Sequence, residues 1–159
     1  MTNTMQNNEE LVDALNELVR INYDRVFGYE HAIEDVEDAD VDLKAVFGKY
    51  ADQSRKYVSY WQQTIRSMGG EPVTDSTMRG KLFRVWMDFK ATLTGKGRKS
   101  ILDSCEFGED AAQRAYQEAL ESDAHLPDEV RQMIAEQKAE LKSAHDSIRD
   151  AARLHDKIS

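Results

Sequence analysis

Proline and glycine are scarce in this chain, with two and eight among 159 residues. Proline removes a backbone donor and glycine costs backbone entropy, so a sequence poor in both is free to form long helices. The apolar residues agree with that freedom. From about Glu9 to Glu37, Leu11, Leu15, Leu18, Val26, Tyr29, Ile33 and Val36 recur at steps of three, four and their multiples, which puts them on one helical face. A second stripe, Leu43, Val46, Phe47, Tyr50, Tyr57, Trp61, Ile65 and Met68, predicts a helix over about Val41–Met68. Asp40 is its expected N-cap and Gly69-Gly70 its left-handed stop. A third long helix is expected over about Arg98–Glu121, carrying the row of small residues Gly108, Ala112, Ala115 and Ala119. A fourth starts at Pro127, a residue suited to the first helical position, and runs to about His155 with Val130, Ile134, Leu141, Ile148 and Ala152 inward.

The connections set the topology. Asp38-Ala39-Asp40 and Asp123–Leu126 are short, so the helices they join form antiparallel hairpins. The connection from Gly69 to Gly97 is long enough to travel the length of a bundle. Within it, Met78, Leu82, Val85, Trp86, Phe89 and Leu93 predict a shorter amphipathic helix. Two short-loop hairpins joined by one long crossover define an all-α, ferritin-like four-helix bundle, here with an extra short helix between the second and third long helices.

Composition narrows the function classes. Forty per cent hydrophobic residues suffice for a core, and the length suits one domain over residues 1–159, with 1–8 as a flexible N-terminus. A net charge of −9 argues against nucleic acid as a partner, because phosphate binding needs clustered positive charge. Cys105 is the only cysteine, which excludes an intrachain disulfide and cysteine-rich zinc sites; it is expected to be a small core residue. No apolar run approaches the roughly 18 residues a transmembrane helix needs, and Met1–Glu10 lacks the basic and apolar regions of a secretory signal. The expected location is the cytoplasm.

Polar residues interrupt the apolar stripes near mid-helix: Asn22 and Glu30 on the first helix, Gln53 on the second, Glu106 and Glu109 on the third, Gln137 and His145 on the fourth. Counting outward from a turn near His125 puts Glu106 level with His145, and counting from Ala39 puts Asp24 level with Ser54, beside Gln53. Glu106, Glu109 and His145 are therefore expected at one level, with Asp24 or Glu30 joining from the first helix. A buried carboxylate must be paired, protonated or bound to a metal. Two readings follow: a metal site built from Glu106, Glu109, His145 and Asp24 or Glu30, or a buried hydrogen-bonded cluster neutralised by Lys142 and Arg114.

Several short motifs carry a family resemblance. They are Tyr23-Asp24, Gly69-Gly70-Glu71-Pro72, Trp86-Met87-Asp88 with Leu93-Thr94-Gly95, Cys105-Glu106-x-Gly108-Glu109-Asp110, and Ala144-His145-Asp146. Together they resemble an uncharacterised bacterial family of ferritin-like four-helix-bundle proteins, over about Glu9–Leu154. The resemblance implies the fold and carries no settled activity. The wider ferritin and rubrerythrin-like superfamily holds two iron ions with a Glu from each of two helices and Glu-x-x-His from the other two. Glu106-Phe107-Gly108-Glu109 is similar to a Glu-x-x-Glu variant of that pattern. Lys142, three residues before His145, and Gln53-Ser54-Arg55-Lys56 on the second helix depart from it. The superfamily resemblance thus implies either a single site for iron or another divalent metal as cofactor, or a degenerate site that holds none.

Charge is unevenly distributed. Glu30, Glu34, Asp35, Glu37, Asp38, Asp40 and Asp42 make the first turn of the bundle acidic, whereas the crossover carries Arg79, Lys81, Arg84, Lys90, Lys96, Arg98 and Lys99 against Asp88 alone. The basic run reads either as a surface for an acidic partner or membrane, or as a solvated face whose end at Lys96–Lys99 meets the acidic turn. Two functions are consistent with the sequence: a ferritin-like protein binding a divalent metal in its core, or a metal-free bundle acting as a stress-related or interaction scaffold, either one able to form homo-oligomers.

Overall fold

A computed structural model describes the backbone of residues 2–36, 40–74, 97–122 and 124–158, and the side chains from residue 8 to residue 154 within those spans. All secondary structure among them is helical: α1 Thr2–Asp35, α2 Val41–Ser67, α3 Arg98–Glu121 and α4 Asp128–Ile158. The α2 and α3 boundaries fall within one residue of the periodicity reading, whereas α1 begins seven residues before Glu9. The expected crossover helix at Met78–Leu93 lies outside the described residues.

The helices form two antiparallel hairpins, α1–α2 and α3–α4, which are joined chiefly through α1 against α3. The apolar stripes meet in one core, where Leu15, Leu18, Tyr29, Phe47, Trp61, Ile65, Leu102, Tyr116, Ile134 and Leu141 are almost wholly excluded from water. Each such residue stabilises the bundle by roughly 1.5–3 kcal/mol through removal of its apolar surface from water.

The turns follow local chemistry. At the end of α2, Gly69 donates to the Arg66 carbonyl and Gly70 to the Ile65 carbonyl, both at 3.0 Å, the paired hydrogen bonds of a Schellman turn. Gly69 takes φ +79°, a conformation open to glycine, and Gly70 lies so close to Val12 that an added Cβ would meet its Cγ2 at 2.7 Å. From there residues 71–74 lie along the α1–α2 face. Asn16 donates to the Glu71 carbonyl (3.0 Å) and accepts from the Val73 amide (2.8 Å), and Gln62 donates to the Val73 carbonyl (2.8 Å).

The cap expected of Asp40 takes another form. Its carbonyl accepts from Leu43 and Lys44, each at 3.1 Å, but its side chain makes no cap bond and instead accepts from Arg98 at 3.0 Å. Arg98 also reaches Asp42 at 2.9 Å. The start of α3 is thus tied to the acidic α1–α2 turn, which is the charge complementarity anticipated from the sequence.

Candidate functional site

The centre of the bundle is polar, and its cation is an arginine. Arg25 lies on the same stripe of α1 as Leu18, Asn22 and Tyr29, and it has no exposure to solvent. Its Nε and Nη2 grip the two carboxylate oxygens of Glu109 on α3, the Nη2 bond being 3.1 Å. Its Nη1 donates to Ser54 Oγ at 2.8 Å and to the Tyr50 carbonyl at 3.1 Å, both on α2. The Tyr29 and Tyr50 rings lie 5.3 and 5.4 Å from the guanidinium carbon, within cation–π range. Burial alone would lower the arginine pKa. The charge and hydrogen bonds of Glu109, helped by Tyr29, outweigh it and leave the pKa above its ordinary value.

A chain of hydrogen bonds continues from this pair across all four helices. Ser54 Oγ donates to Asn22 Oδ1 (2.9 Å), and Asn22 Nδ2 donates to the Tyr116 hydroxyl (2.9 Å) and to the Leu18 carbonyl (2.8 Å). Tyr116 donates to Gln137 Oε1 at 2.6 Å, which also accepts from Trp61 Nε1 at 2.7 Å. Burial pushes the Tyr116 hydroxyl up to about 12, so it stays a donor at any physiological pH. Burial, reinforced by Glu109, likewise holds the Cys105 thiol well above its usual range, so it remains an unreactive core side chain.

The residues expected at a metal site are dispersed around this centre. Glu109 is buried and held by Arg25. Glu106 is half-buried on α3. His145 does not face Glu106: its Nε2 contacts Asp110, and its Nδ1 contacts Asp146 at 3.1 Å. Asp110 lies one turn further along α3 than Glu106, the residue counted level with His145 from the sequence. Glu30 is half-exposed and bonded to Arg55, while Asp24 is buried on α1. Among the described residues, no three His, Cys, Asp or Glu side chains are grouped as a metal cage. The lysines expected to matter are exposed: Lys142 pairs with Asp146, and Lys56 faces solvent.

Asn22, Gln137 and Glu109 stand out in the sequence as polar breaks in apolar stripes, whereas Arg25 and Ser54 do not. The signal for Arg25 was present, three residues after Asn22 and four before Tyr29 on one face. In the basic run, Arg79–Lys96 lie outside the described residues, and the two described members are paired within the chain, Arg98 with Asp40 and Asp42, Lys99 with Asp103.

The same arrangement of four helices occurs in solved structures. The chain is similar to a Dps1 variant of Mycobacterium smegmatis at 13% identity and TM-score 0.78, covering 92% of this chain and 97% of that one. It is similar to the bacterioferritin-related protein of Bacteroides fragilis, a dodecameric thioferritin, at 20% identity and TM-score 0.72, covering 94% and 90%. A ferritin-like, diiron-carboxylate protein of Bacillus anthracis str. Ames matches at 17% identity and TM-score 0.59, covering 96% of each chain. At such identities the likeness is one of fold, and the fold is that of the ferritin-like bundles. Residues 10–122 match the model of the family described as Domain of unknown function (DUF2383), and the chain belongs to that family. No curated protein matches it. None of the helices among the described residues is long and apolar enough to cross a membrane.

Proposed function

We propose that this protein is a single-domain, cytoplasmic, ferritin-like bundle that works without a metal in its core and serves as an interaction or assembly scaffold, self-associating into a homo-oligomer. The observation that carries this reading is the buried Arg25–Glu109 pair. A carboxylate bound at both oxygens by a guanidinium has little capacity left for a metal, and a fixed positive charge in the core repels a dication. The donor set around it, one carboxylate with a serine hydroxyl, an amide and a phenol, is neutral apart from Glu109 and poorly suited to iron or manganese.

The competing reading places iron or another divalent metal at Glu106, Glu109 and His145, with Asp24 or Glu30 bridging. Its support is the likeness in fold to the diiron-carboxylate protein of Bacillus anthracis. It requires Glu109 to release Arg25, and His145 to leave Asp110 and turn inward.

Elemental analysis decides between them, on untagged protein expressed with iron and manganese present and purified without chelator. Substoichiometric metal, unchanged in Glu106→Gln and Glu109→Gln variants, is the expected result. Stoichiometric metal lost in those variants overturns it. Light scattering on the same samples tests self-association, and a monomer at all concentrations removes the assembly reading.

A further inference from the structure

The groups that surround the Arg25 guanidinium come from outside its own backbone. Glu109 belongs to α3, Ser54 and the Tyr50 carbonyl to α2, and Tyr29 and Tyr50 supply the aromatic faces. Four acceptor positions lie around the guanidinium: two carboxylate oxygens side by side, a hydroxyl and a carbonyl. Two aromatic rings lie near its carbon. A planar, delocalised, forked cation satisfies all of these at once. A spherical dication does not: it needs more anionic oxygen or imidazole ligands than this one carboxylate and gains little from the flanking rings.

We infer that the bundle centre is a built guanidinium-binding site whose resident ligand is the Arg25 side chain, and which will accept a free alkylguanidinium once that side chain is removed. The inference rests on the reading of a metal-independent core and adds the class of cation the core recognises. The site links three helices through one ion. The onward contacts from Ser54 to Asn22 and Tyr116 connect the site to α4 by way of Gln137.

The test is rescue of the Arg25→Ala variant. This substitution leaves a cavity the size of ethylguanidinium without touching Glu109, Ser54 or Tyr50. Its melting temperature is expected to fall below that of the wild type, and to rise with the logarithm of ethylguanidinium concentration in the low millimolar range, where the wild type does not respond. Manganese(II) is expected to give no such rise. The double variant Arg25→Ala, Glu109→Ala should lose the rescue.

A folded Arg25→Ala protein with no ethylguanidinium response overturns the inference, as does a response to manganese equal to or greater than that to ethylguanidinium. If the variant is unfolded, helicity regained in circular dichroism on adding ethylguanidinium supports the site, and its absence overturns it. The isosteric Glu109→Gln variant gives an independent reading. A lowered melting temperature supports the site, and an unchanged one overturns it, because the carboxylate charge then does not hold the guanidinium. Metal in the wild-type protein would instead defeat the proposed function while leaving the rescue result to stand by itself.

Discussion

Arg25 on α1 and Glu109 on α3 form a bidentate ion pair in the core of the bundle, with neither side chain more than 1% exposed. Charges so placed are held by each other and by the groups around them, because neither can recover its lost hydration. The pair is therefore sensitive to the loss of one member and tolerant of the loss of both. Replacing Glu109 by Ala, or Arg25 by Met, leaves one uncompensated charge and should cost about 3–5 kcal/mol. The double variant Arg25→Met, Glu109→Met should recover most of that. Urea denaturation of the three variants measures the cycle. Additive losses would mean that the two residues act independently.

The polar chain on the other side of the core is expected to be unequal in its parts. Gln137→Leu removes an acceptor shared by Tyr116 and Trp61, stranding two buried donors. Tyr116→Phe removes one hydroxyl and strands only one hydrogen of Asn22 Nδ2, which keeps its bond to the Leu18 carbonyl. Each stranded group costs about 1–3 kcal/mol, so Gln137→Leu should be the more damaging. Chemical denaturation of the two variants tests the order.

His145 should make stability depend on pH. Burial lowers its pKa, but hydrogen bonds and charge from Asp146 and Asp110 outweigh that and raise it above its ordinary value of 6.5. Lys142 and Arg149, both paired with Asp146, are the other charges in the cluster. The contribution of His145 is thus fully present below its unfolded pKa and is lost as pH rises through the elevated folded value. Asp146 is held at about 2 by Lys142 and His145, so its contribution persists above its unfolded value and is lost only in strong acid, as pH falls toward about 2. His145→Ala should flatten the loss of stability that sets in as pH rises above the ordinary imidazole value of 6.5. A proton NMR titration of the imidazole that gave an ordinary or lowered pKa would contradict the geometry.

The two glycines after α2 should fail for different reasons. Gly69→Ala forces a Cβ into a left-handed conformation and should cost about 1 kcal/mol, with the surrounding packing unaffected. Gly70→Ala drives a Cβ into Val12 and should cost about 1–3 kcal/mol as overpacking. Pairing Gly70→Ala with Val12→Ala should relieve the second loss and leave the first untouched, which differential scanning calorimetry can separate.

Much of this protein was legible one helix at a time. The α3 span of Arg98–Glu121, the Gly69-Gly70 stop and the buried positions of α4 follow from local spacing and turn chemistry, which act within a few residues. Glu109, Asn22 and Gln137 were recognisable as core polar residues, because each breaks an apolar stripe on a single face. Arg25 sits on such a face too, but a long cationic side chain commonly reaches out to water along its aliphatic stem, so its stripe position alone does not declare it buried. Asp40 likewise occupies a cap position by sequence, while its carboxylate is drawn away by Arg98, a residue far along the chain.

By itself, the sequence determined where α2 and α3 begin and end, which face of each long helix is apolar, and that two hairpins pack about a common core. Those properties depend on the 3.6-residue period and on the conformational limits of glycine and proline, which any segment carries with it. Only the tertiary structure decided which polar groups meet. Partner choice depends on the axial register and rotation of neighbouring helices, and a shift of one turn, about 5.4 Å, exchanges one partner for another. That shift sets His145 against Asp110 rather than Glu106, and the packing of α1 against α3 sets Arg25, a residue of the same chain, as the cation opposite Glu109.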